Sequence, residues 1–361
     1  MISVEREMKK NITFILFFLT SLCSSAQQGG KNVFSFLALP IPARTASLGG
    51  TIIAIKDDDV NLALQNPSVL NAGMNNQLSL SHVNYISDIN YLTVAYANSH
   101  KKIGHYAFAL QKVGYGQFQE ANEYGEIIGN FRADDYSLNM SIGRDLDSSF
   151  SYGVTLKTIY SKYYNFSSFG NAIDAGITYH NKKKLFTAAI VARNFGYQWK
   201  TYSGNEKEKL PGEVLFSVSK KVAKAPFRLI FLMGNLQQWD LTYPDNLKVE
   251  NTFNTGDNQE SKEPSAWSIF GDKLLRHVII ANEFILTKNF NIRFGFDFRK
   301  QKEFKLTEKA GVAGLSFGFG LKISKFQLSY GFAKYHAAGN SNHFTVTTNL
   351  SSFQKKKKVN E

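Results

Sequence analysis

The stretch Phe290-Asn291-Ile292-Arg293-Phe294-Gly295-Phe296-Asp297-Phe298-Arg299 decides the fold, because its side chains sort into two sets with a period of two. Phe290, Ile292, Phe294, Phe296 and Phe298 share one face, and Asn291, Arg293, Gly295, Asp297 and Arg299 share the other. A dry core would not accept the second set without extensive pairing. That face must meet water or a polar filling, and the first must meet oil.

Outward from this segment the same split recurs. Tyr136, Leu138, Met140 and Ile142 oppose Ser137, Asn139, Ser141 and Gly143, and Leu315, Phe317, Phe319, Leu321 and Ile323 oppose Ser316, Gly318, Gly320 and Lys322. Phe326, Leu328, Tyr330 and Phe332 likewise oppose Gln327, Ser329, Gly331 and Ala333. The alternation predicts about fourteen strands, near 77–86, 89–98, 103–115, 135–144, 150–163, 171–180, 185–197, 213–222, 227–238, 274–286, 290–299, 311–323, 326–335 and 343–353. Most are about ten residues or longer, which suits the ~9–11 residues of a tilted bilayer-crossing strand and exceeds the ~5–6 of soluble sheets. All 7 prolines fall outside these segments, as an unbroken hydrogen-bonded ladder requires. The 30 Phe, 17 Tyr and 27 Gly fit aromatic-rich β-structure and exclude coiled-coil and collagen-like chains. A mean hydropathy of -0.24 would suit a soluble protein, but a two-faced barrel wall averages to the same value.

The connections carry the topology. Short ones at 99–102, 145–149, 181–184, 223–225, 287–289 and 324–325 alternate with longer ones at 116–134, 164–170, 198–212, 239–273, 300–310 and 336–342; the brief hairpin at Ser87-Asp88 is the exception. Turns on one rim, loops on the other and an even strand number predict an all-β fold, a transmembrane antiparallel β-barrel of about fourteen strands with both chain ends at the short-turn rim. The competing reading, a large soluble β-sandwich, would need neither the rim asymmetry nor such long two-faced strands.

Four regions follow. Residues 1–26 read as a secretory signal peptide: a basic Met8-Lys9-Lys10, an apolar run from Ile12 to Leu22 and a cleavage site at Ser24-Ser25-Ala26, with Met8 as the expected true start. Cleavage removes Cys23, the single cysteine, so no disulfide contributes to stability. Residues 27–76 are too few for a domain and read as a plug in the lumen or its periplasmic mouth, with a strand-like Thr51–Ile55 and Asp57-Asp58-Asp59 capping a short helix that ends before Pro67. Residues 77–353 form the barrel, and 354–361 a basic disordered tail. The formal net charge of +13 would fit nucleic acid, but in an exported chain the anionic envelope surface is the expected partner and nucleic acid is not.

Ala46-Ser47-Leu48-Gly49-Gly50, then Asp57-Asp58-Asp59, then Gln65-Asn66-Pro67-Ser68 resembles the opening of the FadL-like outer-membrane barrels, which include the PorV and PorQ proteins of the Bacteroidetes type IX secretion system. Downstream the resemblance narrows to the PorQ family. It is carried by Gln77 to Ser81 with Asn84-Tyr85, Tyr115 to Phe118, Asn235 to Tyr243, Ile323 to Phe326 with Leu328 to Gly331, and Asn342 to Phe344 with Ser352-Phe353. The order and spacing of these pieces span nearly the whole chain after residue 26, although no one of them is specific. The resemblance implies a non-enzymatic outer-membrane component that helps hold a PorZ-like surface protein in an attachment complex with PorU and PorV, where PorU links cargo to anionic lipopolysaccharide. Outer-membrane lipid and lipopolysaccharide are the implied surroundings. Phe353, which such assembly signals place last, falls on the polar parity of the last predicted strand and is followed by the lysine tail.

Sharper motifs give way to plainer readings. Gly314-Leu315-Ser316-Phe317-Gly318 matches the Gly-x-Ser-x-Gly nucleophile pattern but sits inside an alternating strand instead of at a strand-to-helix turn, so small lumen-facing residues are expected and catalysis is not. The 7 histidines lack close metal-ligand spacing; His180 and His343 read as surface or lumen residues. Asp57, Asp58 and Asp59 suit a hard cation, yet capping and lumen salt bridges explain them with less; together with Asn66 and Pro67 they form the expected plug motif, and no metal or cofactor is expected. Lys157, Asp174, Arg293, Asp297, Arg299 and Lys322 are the expected lumen charges, lining a conduit or pairing with the plug. The loops lean acidic and the turns basic, with Lys101, Lys102, Lys182, Lys183, Lys184, Lys220, Lys221 and Lys224 on the turns. Glu120, Glu123 and Glu126, with Asp257, Glu260 and Glu263 of the longest loop, are the expected docking residues for a surface partner. The alternative function is a FadL-like channel for uptake of hydrophobic solutes; an acyltransfer or lipase activity is a distant third.

Overall fold

The computed structural model describes residues 32–85, 87–204, 206–242, 265–303, 313–336 and 339–353. The expected signal peptide, the basic tail and Asp257, Glu260 and Glu263 lie outside them.

Fourteen strands close into one antiparallel barrel in simple sequential order, β1 pairing with β14. They are β1 (Gln77–Asn84), β2 (Asn90–His100), β3 (Gly104–Ala121), β4 (Ile127–Asp145), β5 (Phe150–Tyr163), β6 (Phe166–Asn181), β7 (Phe186–Lys200), β8 (Glu213–Lys221), β9 (Phe227–Met233), β10 (Val278–Ile285), β11 (Phe290–Asp297), β12 (Leu315–Ile323), β13 (Phe326–His336) and β14 (Gly339–Asn349). Closure leaves no unpaired edge, and a barrel that meets lipid requires that. Among the described residues no helix is long and apolar enough to cross a membrane.

The period-two reading holds on the wall. Leu110, Leu138, Ile142, Phe294, Phe317 and Phe344 face outward and are exposed, whereas Ser137, Ser141, Arg293, Ser316 and His343 face inward and are buried. Phe284–Phe294 and Tyr330–Phe344 continue the outer aromatic surface across adjacent strands, with centroids 6.1 and 5.2 Å apart.

The loops differ from expectation in an instructive way. The segments 116–134, 164–170 and 336–342 are largely strand, so β3 and β4 reach 18 and 19 residues, and the β5–β6 turn shrinks to Tyr164 and Asn165. At the outer ends of β3 and β4 the side chains are largely exposed on both faces, so they look like loop in sequence. One sector of wall, β3 to β7, is therefore tall, while β8 to β12 have only 7 to 9 residues each. Long connections follow β7, β9 and β11, and those after β9 and β11 carry α-helices Ala266–Leu275 and Phe298–Glu303. Phe298 and Arg299 thus leave the strand, whose alternation ends at Asp297. The last strand also ends early: Leu350–Phe353 is a 3-10 turn, so parity does not apply to Phe353, whose ring packs on Phe326 at 5.8 Å.

Residues 33–76 lie inside the barrel. Two further helices occur there, α1 (Ala43–Ser47) and α2 (Val60–Ala63); with them, Ala266–Leu275 becomes α3 and Phe298–Glu303 α4. Asp59 caps α2 by accepting from the Asn61 N–H at 3.1 Å. Thr51–Ile55 is not a strand; Ile53 and Ala54 pack on Val191, Leu215 and Leu232 of the wall instead. The end of β14 lies at the short-turn rim, and the first residues of the chain lie outside the described ones. Asn32 bridges Lys209 in the connection after β7, so the inner segment enters at the long-loop rim and descends to β1. Strand parity carries no information about where such a segment enters.

Inner-wall glycines make room for it. A Cβ at Gly143 would lie 2.6 Å from the Pro67 carbonyl, and one at Gly153, Gly176, Gly295, Gly318 or Gly331 would also come within 3.0 Å of residues 43–68. Side chains are missing where the inner backbone passes. Replacing Gly153 and Gly295 together by valine is expected to expel the segment while leaving the wall intact. Limited trypsin digestion checks this: Lys56, cut slowly in the parent, should become a fast site in the double variant.

Candidate functional site

An ionic lock ties the inner segment to β9, β10 and β11 toward the short-turn end of the lumen. Arg44 on α1 reaches Asp57 at 2.7 Å, Asp59 at 3.2 Å and Glu283 of β10 at 2.9 Å. Arg228 of β9 holds Asp57 through two nitrogens at 2.8 and 2.9 Å and Glu283 at 2.9 Å, and Arg293 of β11 donates to Glu283 at 3.1 Å. Three guanidiniums face three carboxylates, so the charges cancel, and Glu283 joins plug to wall. Burial alone would raise the Asp57 carboxyl, but Arg44 and Arg228 overcome it and hold the group well below the usual carboxylate range.

A second anchor is neutral. Asn66 caps the turn at Pro67 and donates to the Ile53 carbonyl at 2.7 Å and to Thr178 of β6 at 3.0 Å, while the Ser151 hydroxyl of β5 donates to the Ser68 carbonyl at 2.7 Å. Opposite, the Gly49 N–H donates at 2.9 Å to Ser316, the serine of the Gly-x-Ser-x-Gly stretch. That hydroxyl grips the plug. His343 is buried between the Ile41 carbonyl and Ser341, at 3.0 and 2.9 Å, and His180 contacts Thr187. Among the described residues no group of three or more His, Cys, Asp or Glu could hold a metal ion.

The structure brings only some of the expected residues together. Asp57, Asp59 and Arg293 meet in the lock, whereas Asp58 is exposed. Lys157 and Asp174 pair at 2.7 Å elsewhere on the inner wall, with Asn194 accepting from Lys157 at 2.6 Å. Asp297 pairs with Lys300, and Arg299 with Glu303, at the long-loop mouth. Lys322 is not a lumen charge: it is exposed near the short turn after β12, because parity fixes the face of a residue but not its height. Glu120, Glu123 and Glu126 sit at the tip of the tall β3–β4 hairpin, exposed or half-exposed, with Tyr164 donating to Glu120. Arg44, Arg228 and Glu283 were not singled out from sequence. Glu283 had a signal, a carboxylate in register with Ile279 and Ala281 in an apolar run; Arg228 had none, since its strand is apolar on both faces.

Above the plug, beside the low wall, a cavity of about 570 Å³ opens at the long-loop rim. Arg193, Glu213, Arg276, His277, Asp297 and Arg299 line it, with Leu215 and Leu232 below. Its charges are mostly spent on each other: Arg193 meets Glu213 at 2.6 Å and Arg276 meets Asp272 at 2.8 Å. No continuous water path or apolar tunnel follows from this lining.

No protein-family model matches the sequence, and no curated protein matches it significantly. Among solved structures, the Pseudomonas putida toluene transporter TodX matches with a TM-score of 0.51 at 9% identity, over 87% of this chain and 99% of TodX. The Ralstonia pickettii toluene transporter TbuX gives 0.48 at 11% identity over 86% and 98%, and a Pseudomonas aeruginosa FadL homologue gives 0.43 at 8% over 86% and 98%. At such identity the TodX match is a likeness of fold alone.

Glu283→Gln leaves three buried guanidiniums facing two carboxylates and is expected to cost about 3–5 kcal/mol. It should be read as a lower temperature for the shift from folded to unfolded gel mobility. Asp57 has a lower pKa folded than unfolded, so its contribution is complete above about pH 5 and is lost progressively as the pH falls from there toward that lower value. Melting profiles of the parent should therefore fall below about pH 4, and the fall should be smaller in Asp57→Asn.

Proposed function

We propose that this chain is a non-enzymatic barrel of a Gram-negative outer membrane that acts as an anchor. The one observation that carries the reading is the filled lumen: the chain's own residues 33–76 occupy the space through which a solute would pass, tied there by Arg44, Glu283, Asn66 and Ser316. A barrel so filled offers its rim to partners more readily than its interior to solutes. The finer assignment, to the PorQ family of the type IX secretion system, with a PorZ-like partner held at the surface and PorU and PorV alongside, rests on the sequence resemblance alone. The comparisons with solved structures add nothing to it. In this reading the tall β3–β4 hairpin with Glu120, Glu123 and Glu126 meets the partner.

A second reading has its own support. TodX and TbuX are described as toluene transporters, and the descriptions of these structural neighbours favour a channel for hydrophobic solutes over a secretion role. Against it stand the ion pairs that line the mouth cavity and the filled lumen beneath.

A deletion strain separates the two. The anchor reading predicts loss of surface-attached cargo with normal growth on hydrophobic carbon sources. Normal attachment with impaired growth on those sources would replace it with the channel reading.

A further inference from the structure

The short-turn rim carries a cationic patch that neither reading uses. The turn after β6 presents Lys182, Lys183 and Lys184 in succession, all exposed, and the end of β8 and the turn after it present exposed Lys220 and Lys224. The fold places these turns side by side: the Lys220 ammonium donates to the Lys184 carbonyl, and the Lys221 N–H donates to the Leu185 carbonyl at 3.0 Å. Neither turn contains a carboxylate. Among the described residues none of these five lysines joins a salt bridge. The acids of the neighbouring β4–β5 turn are engaged, Asp145 with Lys56 at 2.7 Å and Asp147 with the N–H groups of Ser149 and Phe150 at 2.6 and 2.8 Å.

What lies beside the patch identifies its occupant. On the outer wall, Phe150 packs on Tyr179 at 5.0 Å and Tyr179 on Phe186 at 6.4 Å, an aromatic row at the end of the apolar belt. Aromatic rows of this kind sit at the headgroup level of a bilayer. The lysines are thus held where lipid phosphates lie, and an ammonium on a flexible stem suits a phosphate as a point charge.

We propose that the paired turns after β6 and β8 form a binding site for the phosphate headgroup of an anionic glycerophospholipid in the leaflet that the short turns face. The site depends on the barrel spanning a membrane, not on the anchor or channel role, so it stands or falls separately from either.

The test uses the full chain in nanodiscs of mixed phosphatidylcholine and phosphatidylglycerol, with the lipids that stay on the protein after detergent extraction counted by native mass spectrometry. Phosphatidylglycerol should be enriched roughly tenfold on the parent. In a variant carrying Lys182→Gln, Lys183→Gln, Lys184→Gln, Lys220→Gln and Lys224→Gln the enrichment should vanish, with folded gel mobility retained. Lys101→Gln with Lys102→Gln, on a distant turn, should keep it. No enrichment on the parent, equal enrichment on the five-lysine variant, or displacement of the lipid by millimolar inorganic phosphate would each overturn the proposal.

Discussion

A barrel wall whose inner face is rich in glycine, serine, threonine and alanine cannot stand empty, because small side chains do not meet across a fourteen-strand lumen. The inner segment meets that constraint. It supplies the apolar volume the wall lacks, from Leu48, Ile52, Ile55, Leu62 and Leu70, which cluster with wall residues Ala95, Ala97, Ala107 and Ala109. The wall in turn supplies the polar partners that the segment's irregular backbone needs, through Ser151, Ser219, Ser316 and Thr345. Each half leaves the other's needs unmet if removed.

The charges add specificity to this fit. A buried ion network gives little net stability against an apolar core of the same volume, but it strongly penalises any arrangement that leaves one member unpaired. Arg44, Asp57 and Asp59 come from the segment, and Arg228, Glu283 and Arg293 from three adjacent strands, so a slipped plug would strand charges on both sides. The lock thereby fixes the register of a segment that makes few backbone bonds with the wall.

Much of this was legible in the sequence, and the gaps have physical causes. Phe290 to Asp297 gave both faces of its strand correctly because one face meets oil and the other a polar filling. The same logic misled at the outer ends of β3 and β4, which are largely exposed on both faces and lose their alternation, and in β9, where Ile230 and Leu232 face an apolar stretch of plug. Among expected site residues, Asp57 and Arg293 share the lock, but their partners Arg44 and Glu283 are 239 positions apart, a juxtaposition no local pattern encodes. Lys322 shows the remaining limit: alternation assigns a face, and height along the barrel needs the turns to be placed.

Anchor and channel differ most directly in what crosses the barrel. Ionic current through the full-length protein in planar lipid bilayers measures that without reference to any partner or solute. A closed lumen predicts no steady conductance above that of the bare membrane. A stable open level, present from insertion and carried by the unmodified chain, would contradict the account at its centre.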